Sequence, residues 1–220
     1  MYQWDFGLVW TYRWLLLDGF AVTVGFTVAI VVLGLVAGLL AALGKLSPLR
    51  PVAWLASAYI EVFRCTPLLV QLVWFYYALP ILSGIEMSAI SAGILALSLY
   101  GGSFYAEIIR GGIVSIDKGQ TEAGEALGML PSQVMRRVVL PQALKRMVPP
   151  LMNQSIIQFK NTSLVSVLAV PDLLYQGQVA AHDSYRPLEL YTVIAIIYFL
   201  ALFPLTLLVK RGETRLAVTD

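Results

Sequence analysis

GFAVTVGFTVAIVVLGLVAGLLAALG, residues 19–44, is a run of 26 uncharged residues enclosed by Asp18 and Lys45. A helix of about 20 apolar residues crosses the hydrocarbon core of a bilayer, so this run predicts a transmembrane helix. Four further runs dominated by apolar residues follow along the chain. We therefore predict five membrane spans, at about 19–44, 52–82, 87–109, 148–171 and 189–209.

The second predicted span is too long for one straight crossing, and it carries Glu61, Arg64 and Pro67. Proline has no amide hydrogen to donate, and its ring clashes with the preceding helical turn. The sequence therefore predicts a short helix, a break at Pro67 and a full helix. In the first span, Gly34 and Gly38 form a small-xxx-small pair, which predicts close packing against another helix.

The composition is that of an integral membrane protein. Of 220 residues, 59% are hydrophobic and 13% are charged, with a mean hydropathy of +0.78, whereas soluble domains carry about 25% charged residues. A net charge of +2 is too small a basic excess for a nucleic-acid partner. One cysteine, Cys65, and one histidine, His182, exclude an internal disulfide and predict no metal site. The predicted fold class is all-α, as one polytopic membrane domain, 1–220, surrounded by lipid.

Basic residues decide the predicted orientation, because they are enriched in the cytoplasmic segments of membrane proteins. Five spans place the two termini on opposite sides of the membrane. With the N-terminus outside, eleven of the 15 basic residues fall in inside segments, and two, Arg13 and Arg186, fall outside. The other two, Arg64 and Lys160, lie within spans. We predict an N-outside, C-inside protein with an outer loop at 172–188.

The segment before the first span is rich in aromatic residues: Trp4, Trp10, Tyr12 and Trp14. Such rings are enriched at the level of the lipid headgroups, so we predict that this segment lies at the membrane interface. The two halves of the chain show no matching repeat of the kind that lets one chain enclose a path. A translocation path would therefore need a second subunit, identical or related.

The longest predicted inside segment, 111–147, has the pattern of two short helices joined by a corner. Residues 120–127 are good helix formers, and Gly128 supplies a C-terminal stop. Ser132 is predicted to cap the second helix, which Pro141 disturbs. Each helix has an apolar face, formed by Ala123, Ala126 and Leu127 in the first and by Val134, Met135 and Val138 in the second.

Two interpretations of this segment remain open from its pattern. A short amphipathic helix at a membrane surface can dock into a groove of a cytosolic partner. Alternatively, the segment is a solvated loop.

A motif within this segment combines a Glu-Ala pair, a glycine six residues after the glutamate, and a Leu-Pro pair: Glu122, Ala123, Gly128, Leu140 and Pro141. This spacing resembles the EAA signature of bacterial ATP-binding-cassette (ABC) importer permeases. Two positions depart from the family pattern, Gly124 in place of alanine and Val138 in place of isoleucine. Gly124 is expected to weaken the first helix by up to about 1 kcal/mol relative to alanine.

Further motifs extend the resemblance to the polar amino-acid permeases of that family: EVFRCTPLLVQ at 61–71, YAEIIRGG at 105–112, GQ at 119–120 and KNTSL at 160–164. The resemblance implies the type I ABC importer permease fold in the bacterial cytoplasmic (inner) membrane. It also implies a non-catalytic subunit that is coupled to an ATPase. The residues that would form the coupling contact are Gly119, Gln120, Glu122, Ala123, Gly124, Ala126, Gly128, Leu140 and Pro141.

The resemblance also implies a set of partners. These are a second permease subunit, as a homodimer or paralogous heterodimer, a separate ATPase dimer that binds ATP and magnesium, and a periplasmic or extracellular amino-acid-binding protein. His182 in the predicted outer loop is a candidate contact with that binding protein. The chain itself is expected to hold no cofactor. Its run from Gly38 to Lys45 has one residue too many for a phosphate-binding loop, and Leu46 stands where such a loop needs Ser or Thr.

Two other functions compete with the importer interpretation. An ion-coupled secondary carrier or a channel subunit would need no ATPase, and the EAA spacing argues against it. A membrane scaffold or an enzyme subunit would have no transport role, and the chain shows no nucleophile–base pattern that favours an enzyme. For an importer, the resemblance favours substrates with acidic or amide side chains and leaves basic and sulfur-containing amino acids open.

Four charged residues fall within predicted spans: Glu61, Arg64, Glu107 and Lys160. A charge in the bilayer costs at least about 2.5 kcal/mol on insertion scales, so each needs a partner or a cavity. One interpretation pairs Glu61 with Arg64, three residues away on one helical face. The other places them beside a cavity, where they bind the ammonium and carboxylate groups of an amino acid.

Uncharged polar residues near these charges also have two interpretations. Asn161, Thr162 and Ser163 either bind substrate or form hydrogen bonds between helices. Gln71 either binds a ligand or completes the backbone hydrogen bonding near the break. The candidate substrate-binding residues are Glu61, Arg64, Thr66, Gln71, Glu107, Lys160, Asn161, Thr162 and Ser163.

Overall fold

The chain is helical, without a β-strand, throughout the part that the computed structural model describes, which is residues 2–217 for the backbone and 2–212 for the side chains. The helices in this part are α1 (Gly7–Thr11), α2 (Arg13–Lys45), α3 (Arg50–Cys65), α4 (Leu68–Ser83), α5 (Ala89–Val114), α6 (Lys118–Ala126), α7 (Pro131–Leu168), α8 (Leu173–Ser184) and α9 (Pro187–Ala217). The predicted all-α class is confirmed.

Three helices, α2, α5 and α9, are long and apolar enough to cross a membrane. The pairs α3–α4 and α7–α8 meet the same criterion only as bent pairs, with bends of 107° and 49°. Residues 2–217 therefore contain three to five candidate spans. The first bend lies between Cys65 and Leu68, so the predicted break at Pro67 is confirmed.

Two helices contain wider π-helical turns, at Trp74–Ala78 in α4 and at Met135–Val139 in α7. Such turns insert one extra residue and are frequent at functional sites. The turn in α7 comes directly before Leu140 and Pro141, the proline that was expected to disturb this helix. The last part of α7, Thr162–Leu168, tightens into a 3₁₀-helix.

Two expectations about helix boundaries are wrong. The predicted outer loop at 172–188 is mostly helix α8, whose first turn is capped by the Asp172 carboxylate accepting a hydrogen bond from the Tyr175 amide at 2.9 Å. Ser132 does not cap α7, because the helix begins one residue earlier, at Pro131. The Leu130 amide donates instead to Gln133 Oε1 at 3.0 Å.

Glycines let α2 and α5 pack closely. A Cβ atom on Gly38 would lie 2.6 Å from Tyr105 Cβ and 2.8 Å from the Gly102 carbonyl oxygen, which is closer than any side chain could fit. Gly34 faces the Tyr105 ring and the Ser98 carbonyl. The predicted close approach at the small-xxx-small pair is confirmed, and it holds these two candidate spans in fixed register.

The buried apolar side chains form two main clusters, and each cluster joins a different set of helices. One cluster joins α4, α5 and the end of α7 around Leu72, Leu97 and Val165. The other cluster, near the Lys45 end of α2, joins Ala42 and Ile109 to Val134 and Met147 of α7. Because Val134 belongs to the segment that follows Gly128, this segment is packed into the body of the protein rather than left as a free loop.

Candidate functional site

Residues 118–141 form an elbow, which consists of α6, the turn at Gly128 and the start of α7. The Asp117 side chain caps α6 by accepting a hydrogen bond from the Gly119 amide at 2.6 Å. The helix ends at Ala126, and Gly128, two residues later, has a φ of 76°, in the left-handed region that favours glycine. The Met129 amide then donates to the Gly124 carbonyl at 3.1 Å. The predicted helix, glycine corner and second helix are confirmed.

Gly124 is the point where the two helices of the elbow touch. It is buried, and a Cβ atom there would lie 2.9 Å from Val134 Cγ2. Val134 itself is only 1% exposed. The glycine therefore allows close packing of α6 on α7, which offsets the low helix propensity that the sequence indicates.

The first apolar face of the elbow points away from the rest of the protein. Ala123 and Ala126 are exposed, and Leu127 is 83% exposed. On the opposite side of the corner, Val134 is buried and Val138 half-buried, whereas Met135 is exposed. The elbow thus has one apolar side packed on the spans and another that packs against none of the described residues.

Two side-chain contacts fix the elbow to its surroundings. Gln142 Nε2 donates to Gln120 Oε1 at 3.3 Å and to the Val138 carbonyl at 3.0 Å. Arg146 donates to the Ser115 carbonyl at 2.6 Å, which links α7 to the end of α5. The Gln142 contact joins α6 to α7, and the Arg146 contact joins α7 to the end of α5.

The remaining predicted coupling residues lie on the outside of the elbow. The side chains of Glu122, Leu140 and Pro141 are exposed, as are Gly119 and Gln120 at the start of α6. The structure thus places the predicted coupling set on one compact element, with Gly124 as its buried member.

A charged cluster centred on Glu107 connects three helices. The Glu107 carboxylate accepts hydrogen bonds at 2.9 Å from Lys45 Nζ of α2 and from Arg110 Nη2 of α5. Arg64 Nη1 of α3 lies 3.9 Å from the same carboxylate, and its guanidinium stacks over the Phe104 ring at 5.4 Å. Glu107 is thus engaged in holding helices together.

The proposed Glu61–Arg64 pair does not form. Because α3 packs across α5, Arg64 faces Glu107, while the exposed Glu61 carboxylate lies 3.8 Å from the Cys65 sulfur. The spacing of three residues allowed the pair, but the packing of the helix gave Arg64 another partner.

Gln71 completes the backbone at the break between α3 and α4. Its Nε2 donates to the Phe63 carbonyl at 2.9 Å, to the Thr66 carbonyl at 3.1 Å and to Thr66 Oγ1. The side chain is buried. Of the two interpretations of Gln71, repair of the break is the one that the contacts support.

The polar residues at 160–163 divide into two pairs. Thr162 is buried and donates to the Phe159 carbonyl at 2.7 Å, and Asn161 donates to Gln158 Oε1 at 3.0 Å. Lys160 and Ser163 instead line a cavity of about 550 Å³ between α7 and α9. Tyr191 of α9 adds a hydroxyl group to this cavity, whereas the Tyr198 hydroxyl is buried. Phe199 and Leu202 add apolar surface.

Sequence reasoning missed several buried polar residues near these helices. Gln158 is fully buried, donates to the Leu97 carbonyl at 2.9 Å and packs against Gly101. Asp172 is also fully buried. Because aspartate is a preferred N-cap residue, its position directly before an apolar stretch could have predicted the start of a helix. Its second oxygen, Oδ2, has no hydrogen-bond partner among the described residues.

Comparison with known proteins decides the family. The family described as "Binding-protein-dependent transport system inner membrane component" matches residues 34–218. This chain belongs to that family. It is thus a membrane permease component, and the elbow, the Glu107 cluster and the Lys160 cavity are features of a permease.

Curated relatives match this permease over nearly its whole length. It is 37% identical to the arginine transport system permease protein ArtQ of Bacillus subtilis (strain 168), over 93% of this chain and 94% of that protein. It is also 37% identical to the glutamate/aspartate import permease protein GltK of Escherichia coli O6:H1, over 99% of this chain and 100% of that protein. The glutamine transport system permease protein GlnP of Escherichia coli (strain K12) is 36% identical, over 98% of this chain and 99% of that protein.

Solved structures agree with these relatives. A crystal structure of an amino acid ABC transporter with histidines has a chain with a TM-score of 0.92 and 38% identity, covering 97% of this permease and 100% of that chain. A chain of the methionine ABC transporter MetNI shares the fold, with a TM-score of 0.72 and 23% identity, over 92% and 98%. The predicted membership of the ABC permeases is confirmed.

Proposed function

We propose that this permease is one transmembrane subunit of an ATP-driven amino-acid importer. The observation that carries the proposal is the elbow, which presents an unpartnered apolar face while its other side is packed into the spans. The names of the relatives, which are permeases of arginine, glutamate/aspartate and glutamine systems, support the substrate class. They do not favour an ion-coupled carrier or a channel.

The elbow would couple this permease to a separate ATPase dimer, which binds ATP and magnesium. A short helix with Ala123, Ala126 and Leu127 on its exposed face suits insertion into a groove of a partner. When the ATPase closes, α6 moves with it. The close contact of Gly124 with Val134, and the hydrogen bond from Arg146 to Ser115, transmit that movement to α7 and α5. Packed helices then shift between two discrete arrangements.

The orientation with the N-terminus outside and the C-terminus inside places the elbow in the cytoplasm. A second permease subunit, identical or paralogous, would complete the translocation path, and an external binding protein would deliver the amino acid. The distribution of basic residues supports this orientation. The bacterial inner membrane is the location that follows from the family description.

Lys160 and Ser163 are the candidate substrate contacts within this chain. The Lys160 ammonium suits an α-carboxylate, and the hydroxyl groups of Ser163 and Tyr191 can accept from an ammonium group. The described lining of the cavity contains no carboxylate. Lys160 would repel a cationic side chain, and no anionic group of this lining would offset that repulsion, which favours amino acids with acidic or amide side chains.

The test is transport by the reconstituted complex of permease, ATPase and binding protein. In proteoliposomes, ATP-dependent uptake of glutamate or glutamine should exceed that of arginine. Lys160→Gln should raise KM for the preferred substrate, whereas Lys145→Gln, at an exposed lysine elsewhere on α7, should leave it unchanged. Uptake driven by an ion gradient without the ATPase would contradict the proposed function.

A further inference from the structure

A second cavity lies at the opposite end of α2 from the elbow. This groove of about 720 Å³ is formed by α1, the start of α2 and α9. Its walls are almost wholly apolar and come mainly from Val9, Trp10, Trp14, Leu17, Phe20 and Ile197. Arg13 is the one charged residue in this lining. The groove shares no lining residue with the Lys160 cavity.

Arg13 is held at the groove without an anionic partner. Its guanidinium stacks on the Trp10 ring at 4.4 Å and the Trp14 ring at 5.4 Å, and it donates to the Trp10 carbonyl. No carboxylate among side chains 2–212 forms an ion pair with it, whereas Arg110 and Arg186 each pair with a glutamate three residues away. A guanidinium has five N–H groups, so Arg13 retains donors for a ligand.

The groove lies where a bilayer meets water. Helix α2 is a candidate membrane span, and Trp10 and Trp14 near its start are 73% and 65% exposed. Exposed indole rings are typical of the headgroup level. Arg13 stands beside these rings, while Leu17 and Phe20 follow one and two turns deeper, at the level of the acyl chains.

The walls of the groove are fixed to each other. The Tyr2 hydroxyl and the Asp5 amide donate to the fully buried Glu189 carboxylate of α9. Arg186 donates to the Gln3 carbonyl at 2.8 Å. The segment that leads into α1 is therefore tied to α9, and the groove exists before any ligand enters.

We propose that this groove binds one anionic phospholipid. Arg13 binds the headgroup phosphate through charge-assisted hydrogen bonds, and an acyl chain lies along Trp14, Leu17, Phe20 and Ile197. The unpaired cation at the headgroup end and the apolar walls below it match the two ends of such a lipid. The proposal is independent of transport and of the partner ATPase.

The test is native mass spectrometry of the full-length permease in its purified complex, after delipidation and titration with phosphatidylglycerol or phosphatidylcholine of identical acyl chains. Both lipids carry the phosphate, but the choline cation of phosphatidylcholine cancels its net charge and is repelled by Arg13. We therefore expect one high-affinity site with about tenfold preference for phosphatidylglycerol. Arg13→Gln should abolish the preference, and Arg13→Lys should keep most of it. Arg50→Gln, at an exposed arginine at the other end of the spans, should have no effect.

Equal binding of the two lipids by the wild-type complex would overturn the proposal, as would an unchanged preference in Arg13→Gln. Quenching of tryptophan fluorescence by brominated phosphatidylglycerol supplies the second measurement, because Trp10 and Trp14 line the groove. If the assembled complex shows no quenching that depends on Arg13, a protein segment covers the groove and the lipid assignment is wrong. An unchanged unfolding midpoint of the Arg13→Gln complex shows that its loss of preference does not come from misfolding.

Discussion

Single residues in this permease have roles set by the neighbour that each one meets. Gly124 departs from the alanine of the family pattern and was expected only to weaken α6. In the structure it is the contact point with Val134. Gln71, which could have bound a ligand, closes the break between α3 and α4 through three hydrogen bonds.

Gly124→Leu should separate α6 from α7, because even a Cβ atom there would lie 2.9 Å from Val134 Cγ2. Overpacking of this kind costs about 1–3 kcal/mol. Thermal unfolding of the purified permease in detergent measures the effect as a lower midpoint. The matched control is Gly111→Leu, where the space around the glycine is open; an equal loss in both variants would contradict the packing role.

Gln71→Leu should destabilise the break, because carbonyl groups of Phe63 and Thr66 lose their donor. A buried acceptor left unpaired costs about 1–3 kcal/mol. The same unfolding assay should show a lower midpoint for Gln71→Leu than for Gln178→Leu, a change at an exposed glutamine of α8. Equal midpoints for the two variants would mean that the backbone at the break does not depend on Gln71.

Two features set how the helices are held relative to one another: the Glu107 cluster and the turn at Gly128. The Glu107 cluster connects α2, α3 and α5 near the end of the spans that carries the elbow. The turn at Gly128 sets the angle between α6 and α7. Charge pairing keeps the spans together as a unit, and the left-handed glycine orients the face that the ATPase would contact.

Glu107→Gln keeps the size of the side chain but leaves Lys45, Arg64 and Arg110 without their counter-charge. Removing the anionic partner of these hydrogen-bonded, partly exposed cations costs about 1–3 kcal/mol. The variant should therefore show a lower unfolding midpoint and reduced membrane levels. Glu61→Gln, at an exposed carboxylate of the neighbouring α3, should behave as the wild type, and a comparable loss there would contradict this assignment.

Gly128→Val should leave membrane insertion intact and abolish ATP-dependent uptake, because a β-branched residue resists a φ of 76° and tilts α6 away. The backbone strain costs about 1–2 kcal/mol. Gly84→Val imposes the same strain at a φ of 71°, in the turn after α4, and should keep uptake. Membrane levels by immunoblot and uptake in proteoliposomes separate folding from coupling; normal uptake by Gly128→Val would contradict the role of the corner.

For the molecule as a whole, features set by the backbone properties of single residues could be predicted from the sequence. Which side chains meet when the helices pack could not. The break at Pro67, the stop at Gly128 and the close approach at Gly38 follow from backbone properties of proline and glycine, and all are present. The partner of Arg64 could not be predicted, because it depends on which face of α3 packs on α5. Helix α8 was missed because its 12 residues are too few to stand out from a polar loop, although Asp172 marked its start.

We propose that the elbow docks into a separate ATPase through its exposed face around Leu127. The most direct measurement is labelling of Leu127→Cys, in a Cys65→Ser background, by a membrane-impermeant maleimide in inside-out vesicles. We predict rapid labelling of the permease alone and strong protection when the ATPase is bound. Leu49→Cys, 63% exposed in the turn between α2 and α3 on the same side of the membrane as the elbow, should be labelled equally with and without the ATPase. Equal labelling of Leu127→Cys with and without the bound ATPase would contradict the account.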